Sequence, residues 1–203
     1  MRKINVLTFL TMDGVMQGPG APEEDTSNGF NHGGWSVGYF DDFVGQEMAR
    51  QMGDKFDLLL GRRTYDIFAS HWPHVDDPFA APINNATKYV ATNRPISKDW
   101  KNTVRLEGDA VDAIRKLKAG TGPDLQVHGS GTLIQTLLRN DLVDELWLKI
   151  FPVTVGSGRR LFAEGTPYAG FQLIESSVSP SGVIIARYRR AGEVKSGSFA
   201  LPT

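Results

Sequence analysis

Short apolar runs alternate with amphipathic stretches along most of the chain, and turn residues separate them. Ile4 to Leu10 is apolar and β-branched and runs into Thr11-Met12-Asp13-Gly14, which reads as a strand ending in a turn. Leu58-Leu59-Leu60, within the run from Phe56, has the unbroken apolar character of a strand covered on both faces. Further strands are expected over Lys88 to Thr92, Val104 to Leu106, Leu125 to His128 and Leu146 to Phe151. Helical spacing is seen from Tyr39 to Met52, with Phe40, Phe43, Val44, Met48 and Met52 on one stripe, and again over 64–69, 110–119 and 132–139. Phe171 to Val178 and Val183 to Arg190 bracket Pro180-Ser181-Gly182 as a closing hairpin. His71 to Pro82 reads as a loop. So does the Gly-, Pro-, Asn- and Ser-rich stretch from Gln17 to Gly38, whose length and Trp35 suggest a functional loop.

Strands that alternate with helices predict an α/β fold around a largely parallel sheet, with the last two strands as an antiparallel addition. The 203 residues suit one domain over 1–190 and a polar C-terminal tail over 191–203. A hydrophobic fraction of 40% is enough to build a core, and a net charge of −1 argues against a nucleic-acid or membrane surface built on bulk charge. The absence of cysteine removes thiolate chemistry and Cys-ligated zinc and fits a reducing cytoplasm. No apolar leader or membrane-length run is seen. His71-Trp72-Pro73-His74 has its spacing broken by proline, so no metal site is expected.

Two segments share one design: a strand, then glycine, then a helix start. They are Leu60-Gly61-Arg62-Arg63-Thr64 and His128-Gly129-Ser130-Gly131-Thr132-Leu133. Helix starts present free N–H groups and a partial positive charge, and glycine lets a phosphate approach the backbone. A dinucleotide offers such groups; a plain tight strand-to-helix turn would use the same residues. The usual G-x-G-x-x-G pattern fails at Ile134, and no lysine follows to make a Walker loop. Arg62 and Arg63 match the fork geometry that a ribose 2′-phosphate accepts, and the alternative for them is solvent. Arg159 and Arg160 follow Gly156-Ser157-Gly158, which reads as either an anion loop for the substrate or a surface turn. The loop, with Trp35, Tyr39 and Phe40, is a candidate to cover a flat ring. Asp41 and Asp42 open the following helix, where a carboxylate either relays a proton or caps the helix. The helical phase sets Asp41 at the edge of the apolar stripe and Asp42 away from it, and Glu47 on the stripe is a further candidate.

Leu58 to Tyr65 resembles the strand–Gly–Arg–Thr–aromatic segment of dihydrofolate reductases, and Val127 to Leu133 resembles their second strand and cofactor turn. Ile4 to Gly18, with Met12-Asp13-Gly14-Val15, resembles their first strand and active-site loop. Phe151-Pro152-Val153 with Gly156-Ser157-Gly158-Arg159-Arg160-Leu161-Phe162, and Tyr39-Phe40-Asp41-Asp42, are similar to the reductase domain of riboflavin biosynthesis and its stand-alone relatives. The resemblance spans roughly residues 1–190. It implies a dihydrofolate-reductase-like three-layer fold and an NADPH-dependent reductase of a pyrimidine, pterin or related heterocycle; the alternative is a nucleotide binder that keeps the fold without catalysis. It also implies that Gly61, Arg62, Arg63, Thr64 and Gly129, Ser130, Gly131, Thr132, Leu133 hold the phosphates. Thr92, Asn93 and Arg94 would face the adenosine, and Thr8 and Met16 to Gly18 the nicotinamide. Relatives are commonly dimeric, so a homodimer is a further expectation. The zinc deaminase that accompanies this reductase in the bifunctional enzyme needs cysteines that this chain lacks.

Overall fold

The computed structural model describes residues 1–199. Eight strands form one sheet: β1 (Ile4–Thr11), β2 (Asp57–Gly61), β3 (Lys88–Ala91), β4 (Thr103–Leu106), β5 (Leu125–His128), β6 (Glu145–Phe151), β7 (Phe171–Val178) and β8 (Ile184–Arg190). Their order is β4-β3-β2-β5-β1-β6-β8-β7. The first six run parallel, β8 is antiparallel to β6, and β7 pairs antiparallel with β8. This is the α/β architecture that the hydrophobic pattern implied. The helices are α1 (Asp42–Met52), α2 (Arg62–His71), α3 (Ala80–Asn85), α4 (Ala110–Ala119) and α5 (Gly131–Arg139).

Side-chain alternation divides the core into layers. Leu59 of β2, with Ile4 and Val6 of β1, packs toward α4 and α5 through Ile114, Ile134 and Leu137. Leu58 and Leu60, with Leu7 of β1 and Val90 of β3, face the other way onto Met52 of α1, Tyr65 and Ala69 of α2, and Ile83 of α3. A third cluster, built on Val15, Phe30, Trp35, Val44 and Phe151, seats the segment after β1 against the end of the sheet.

Two differences from the pattern reading have local causes. Helix α1 starts at Asp42 rather than Tyr39, because the Asp41 carboxylate accepts the Val44 N–H at 2.9 Å and so sets the first turn. Helix α3 lies partly in the expected loop; Pro82 occupies its first turn, where a missing N–H costs nothing, and Ile83 is buried. Residues 191–199 contain no helix or strand, and the end of the expected tail, 200–203, lies outside the described residues.

Candidate functional site

The connections fix where a ligand can sit. After β2 the chain leaves to the α1–α3 side of the sheet, and after β5 it leaves to the α4–α5 side. β2 and β5 are neighbours, so their C-terminal ends diverge and leave a crevice, as expected at a switch point of a parallel sheet. A cavity of about 960 Å³ opens there, within the size range of cofactor sites. Leu7, Thr8 and Phe9 of β1, Gly61 of β2 and His128 of β5 form its base.

The two strand–glycine–helix segments meet at this crevice. The Gly61 N–H donates to Ser130 Oγ at 2.9 Å, tying one turn to the other. A Cβ on Gly61 would lie 3.4 Å from the Ser130 side chain, an ordinary packing contact, so the two turns sit directly against each other. Gly129 and Ser130 both adopt positive φ, 68° and 67°, which swings the chain sharply from β5 into α5. Neither α2 nor α5 has a side chain capping its first turn, whereas Asp41 caps α1 and Asp109 caps α4. The two helices that start at the cavity therefore have no side-chain cap on their first-turn N–H groups, the groups that can receive an anion.

Of the residues expected to bind the cofactor, Thr8, Met16, Gly18, Gly61, Arg62, Arg63, Thr64 and the run Gly129 to Leu133 all line the cavity. Thr92, Asn93 and Arg94 do not; they form a turn just beyond Ala91, in which Thr92 Oγ1 accepts the Arg94 N–H at 3.1 Å. Arg62 sits beside that turn, bonded to Asp66 at 2.8 Å, to Ser97 Oγ at 3.0 Å and to the Pro95 carbonyl. Arg63 donates to Asp25 at 2.7 Å, and Arg159 donates to the other oxygen of the same carboxylate at 2.5 Å and to Ser27 Oγ. Burial pushes the Asp25 carboxyl up, but hydrogen bonds from Ser27 and the charge of Arg159 hold it below the usual carboxylate range. Asp25 thus clasps the loop after β1 onto the cavity mouth.

The substrate and acid candidates are placed differently. Trp35 packs under the loop, donating to the Gln17 carbonyl at 2.8 Å and meeting Phe151 edge-on, outside the cavity wall. Tyr39 gives its carbonyl to Ser181 Oγ at 2.6 Å and also lies outside. Arg160 turns away from the cavity toward Asp13 and the Gly156 carbonyl, while Arg159 lines it. Asp41, Asp42 and Glu47 are likewise absent from the wall. Asp41 is committed to capping and to the Ser181 N–H at 3.0 Å, with the Val44 N–H chiefly holding its carboxyl below the usual range. Asp42 lies exposed in the first turn, and Glu47 forms a two-bond pair with Arg50 at 3.0 and 2.7 Å. The side chains that α1 contributes to the wall are instead Met48 and Met52.

Phe40, the third candidate to cover a ring, does line the wall, together with residues that the pattern did not single out for the site. Phe40, Met48, Phe68, Trp72 and Phe79 make an aromatic and apolar lobe. At its floor, Lys149 of β6 is buried to 1% exposure and donates to Gln51 Oε1 at 2.6 Å. Burial pushes its ammonium down to about 7. His128 Nε2 contacts Gln126 Oε1 at 3.0 Å, and burial pushes its imidazole down to about 3, so the ring is neutral at ordinary pH. A lone lysine inside the apolar run Leu146 to Phe151 was the available signal for the first of these.

Known proteins share this architecture. A pyrimidine reductase-like protein from Corynebacterium diphtheriae superposes with a TM-score of 0.61 at 13% identity, covering 95% of this chain and 93% of that one. Dihydrofolate reductase from Enterococcus faecalis, complexed with NADP(H), superposes with a TM-score of 0.59 at 14% identity, covering 93% and 96%. At such identities the likeness establishes the dihydrofolate-reductase-like fold. In sequence, YyaP of Bacillus subtilis (strain 168), an uncharacterized protein, is 26% identical over 140 residues, which are 66% of this chain and 74% of that protein. The family model of the RibD C-terminal domain matches residues 2–185, nearly the whole described chain, and the protein belongs to that family.

Proposed function

We propose that the chain is an NADPH-dependent reductase of a flat heterocycle of the pyrimidine or pterin type. The family and the fold support a reductase-type function. The observation that carries the cofactor is the pair of helix starts without side-chain caps at one crevice, each preceded by glycine, with Arg62 and Arg63 opening the first of them. Their donor chemistry fits a phosphorylated dinucleotide: backbone N–H groups for a pyrophosphate, and a guanidinium fork for a 2′-phosphate.

When bound, a reduced nicotinamide supplies the hydride. The protein's own residues bind and orient. Gly129 to Leu133 and Thr64 hold phosphate oxygens, Arg62 or Arg63 pairs the 2′-phosphate, and Thr8 with Met16 to Gly18 flank the reacting ring. The Phe40–Phe68–Trp72–Phe79 lobe takes the flat substrate and excludes water, which strengthens the electrostatic contacts made inside it. One observation favours a second reading, a nucleotide binder without catalysis: the carboxylates Asp41, Asp42 and Glu47 lie outside the cavity.

Thermal unfolding in the presence of NADPH and of NADH tests the proposal. NADPH at ~100 times its dissociation constant should stabilise by about 2.7 kcal/mol. Arg62→Ala and Arg63→Ala, taken separately, should show which guanidinium reads the 2′-phosphate, through a roughly 10–100-fold loss of NADPH affinity with NADH affinity unchanged. No stabilisation by either dinucleotide overturns both readings. Binding of NADPH with no oxidation of it by any pyrimidine or pterin selects the second.

A further inference from the structure

The reductase reading leaves the proton unassigned, because the carboxylates near α1 are turned elsewhere. We infer that Lys149 is the proton donor, handing its proton to the ring nitrogen or carbonyl oxygen of a substrate seated in the apolar lobe. The inference rests on the reductase reading for its substrate and on the geometry of β6 for its donor.

Lys149 reaches the cavity from the sheet. It pairs with Phe9 of β1, one residue beyond Thr8, so its strand position lies beside the edge assigned to the nicotinamide. Adjacent strands lie about 4.8 Å apart. Its neighbour on the other side, Ile185 of β8, is apolar. An ammonium has three N–H donors. One goes to Gln51, and among the described residues no other acceptor is bonded to Nζ. A side chain 99% out of solvent that lines the cavity and has donors to spare is placed to serve a ligand atom. Gln51 projects from α1, one residue before Met52, and fixes the direction of the amine.

The charges around it are few. From α1, Glu47 favours the ammonium and Arg50 disfavours it, and these two are themselves paired. His128, from β5, is neutral. Farther along the same face of β6, Glu145 is paired with Arg187 of β8. Burial outweighs all of them and sets the proton near neutrality, where a general acid is most effective. Glu24 is the competing acid on the wall; burial raises its carboxyl, but it is bonded to the Gly20 N–H at 2.6 Å in the loop near Asp25 and Arg63, on the phosphate side.

The step balances as follows. The electrophilic carbon would gain its new C–H bond from a hydride of the reduced dinucleotide, whose own C–H bond breaks and whose ring leaves oxidised by two electrons. The π pair of C=N or C=O moves to the heteroatom. The Nζ–H bond breaks, its electron pair stays on nitrogen, and the proton forms the N–H or O–H bond of the product. Water returns a proton to Nζ once the product leaves.

The test has one arm that needs no turnover. In protein labelled with [ε-13C]lysine and free of dinucleotide, one Cε resonance missing from Lys149→Met should titrate near 7. Titration above about 10, the ordinary lysine range, overturns the inference and leaves the reductase reading intact. The second arm uses NADPH with 7,8-dihydrofolate and with 7,8-dihydropterin as C=N probes. The rate at saturation should fall about tenfold per pH unit above neutrality, and Lys149→Met should lose about 100-fold or more while NADPH affinity stays within about threefold. Lys149→Arg keeps the charge but has no proton to give near neutral pH, and should lose the same limb of the profile. An unchanged profile in both variants, or its loss in Glu24→Gln instead, overturns the assignment of Lys149. Failure of the parent protein to bind NADPH or to oxidise it with either probe counts against the reductase reading, and the inference falls with it even where the lysine titrates near 7.

Discussion

Glu145 opens the strand that carries Lys149, and its removal has a calculable effect. The carboxylate is fully buried at 0% exposure and accepts from Arg187 Nε at 2.7 Å, Trp147 Nε1 at 2.9 Å and Lys3 Nζ at 3.2 Å. Burial alone would raise its pKa, but these donors and the Arg187 charge hold it down to about 2. The folded value lies below the unfolded one, so its contribution to stability is complete above the unfolded pKa and is lost as pH falls through the folded pKa. A carboxyl that moves from 4.5 to about 2 on folding contributes about 3 kcal/mol at pH 7. Glu145→Gln keeps the shape and one acceptor but not the charge, so it should be less stable by about 2–3 kcal/mol at pH 7. The gap should shrink by about 2 kcal/mol, to about 1 kcal/mol or less at pH 3, because only the parent loses this ion pair on acidification. Urea unfolding of both proteins at pH 7, 4 and 3 measures it, and the other carboxylates cancel in the difference. An equal gap at pH 7 and pH 3 would refute the argument that the charge, rather than packing, makes the contribution.

Two further changes probe the loop over the cavity. Gly158 has φ of +117°, and a Cβ there would meet Val15 Cγ1 at 2.8 Å and Phe30 Cε2 at 2.9 Å. Gly158→Ala should therefore cost about 2–4 kcal/mol in chemical denaturation, and a loss under 1 kcal/mol would show that the loop can shift aside. Asp25→Asn removes the charge shared by Arg63 and Arg159 and should make 17–30 more sensitive to protease. With the two guanidiniums released, NADPH affinity should rise about fivefold in a fluorescence titration, the scale of one partly screened charge contact; weaker binding would mean that Asp25 positions the arginines rather than occupying them.

The parts of this protein written in local pattern were readable from sequence, and the parts made by tertiary contact were not. Leu58-Leu59-Leu60 declares a strand buried on both faces, and glycine at 61 and 129 declares the turns that follow, so one side of the cavity was legible in two short segments. The sheet order that sets those turns side by side is a long-range fact, and so is the bond between Gly61 and Ser130 across 69 positions. The placing of the acid candidate Asp41 was hidden for a related reason. Asp41 sits where helical phase puts it at the edge of the stripe, yet phase does not distinguish a group facing a cavity from one closing its own helix. The Ser181 N–H, 140 residues away, completes its commitment to that second task. Lys149 carries the opposite lesson. A charge in the middle of a buried strand contradicts its surroundings, costs desolvation and is retained only where something compensates it. Gln51 accepts one of its N–H donors, and the residue also lines the cavity. Met48 and Met52 stand on the wall where α1 brings no carboxylate, so the helix supplies apolar surface and the sheet supplies the ionisable group, Lys149.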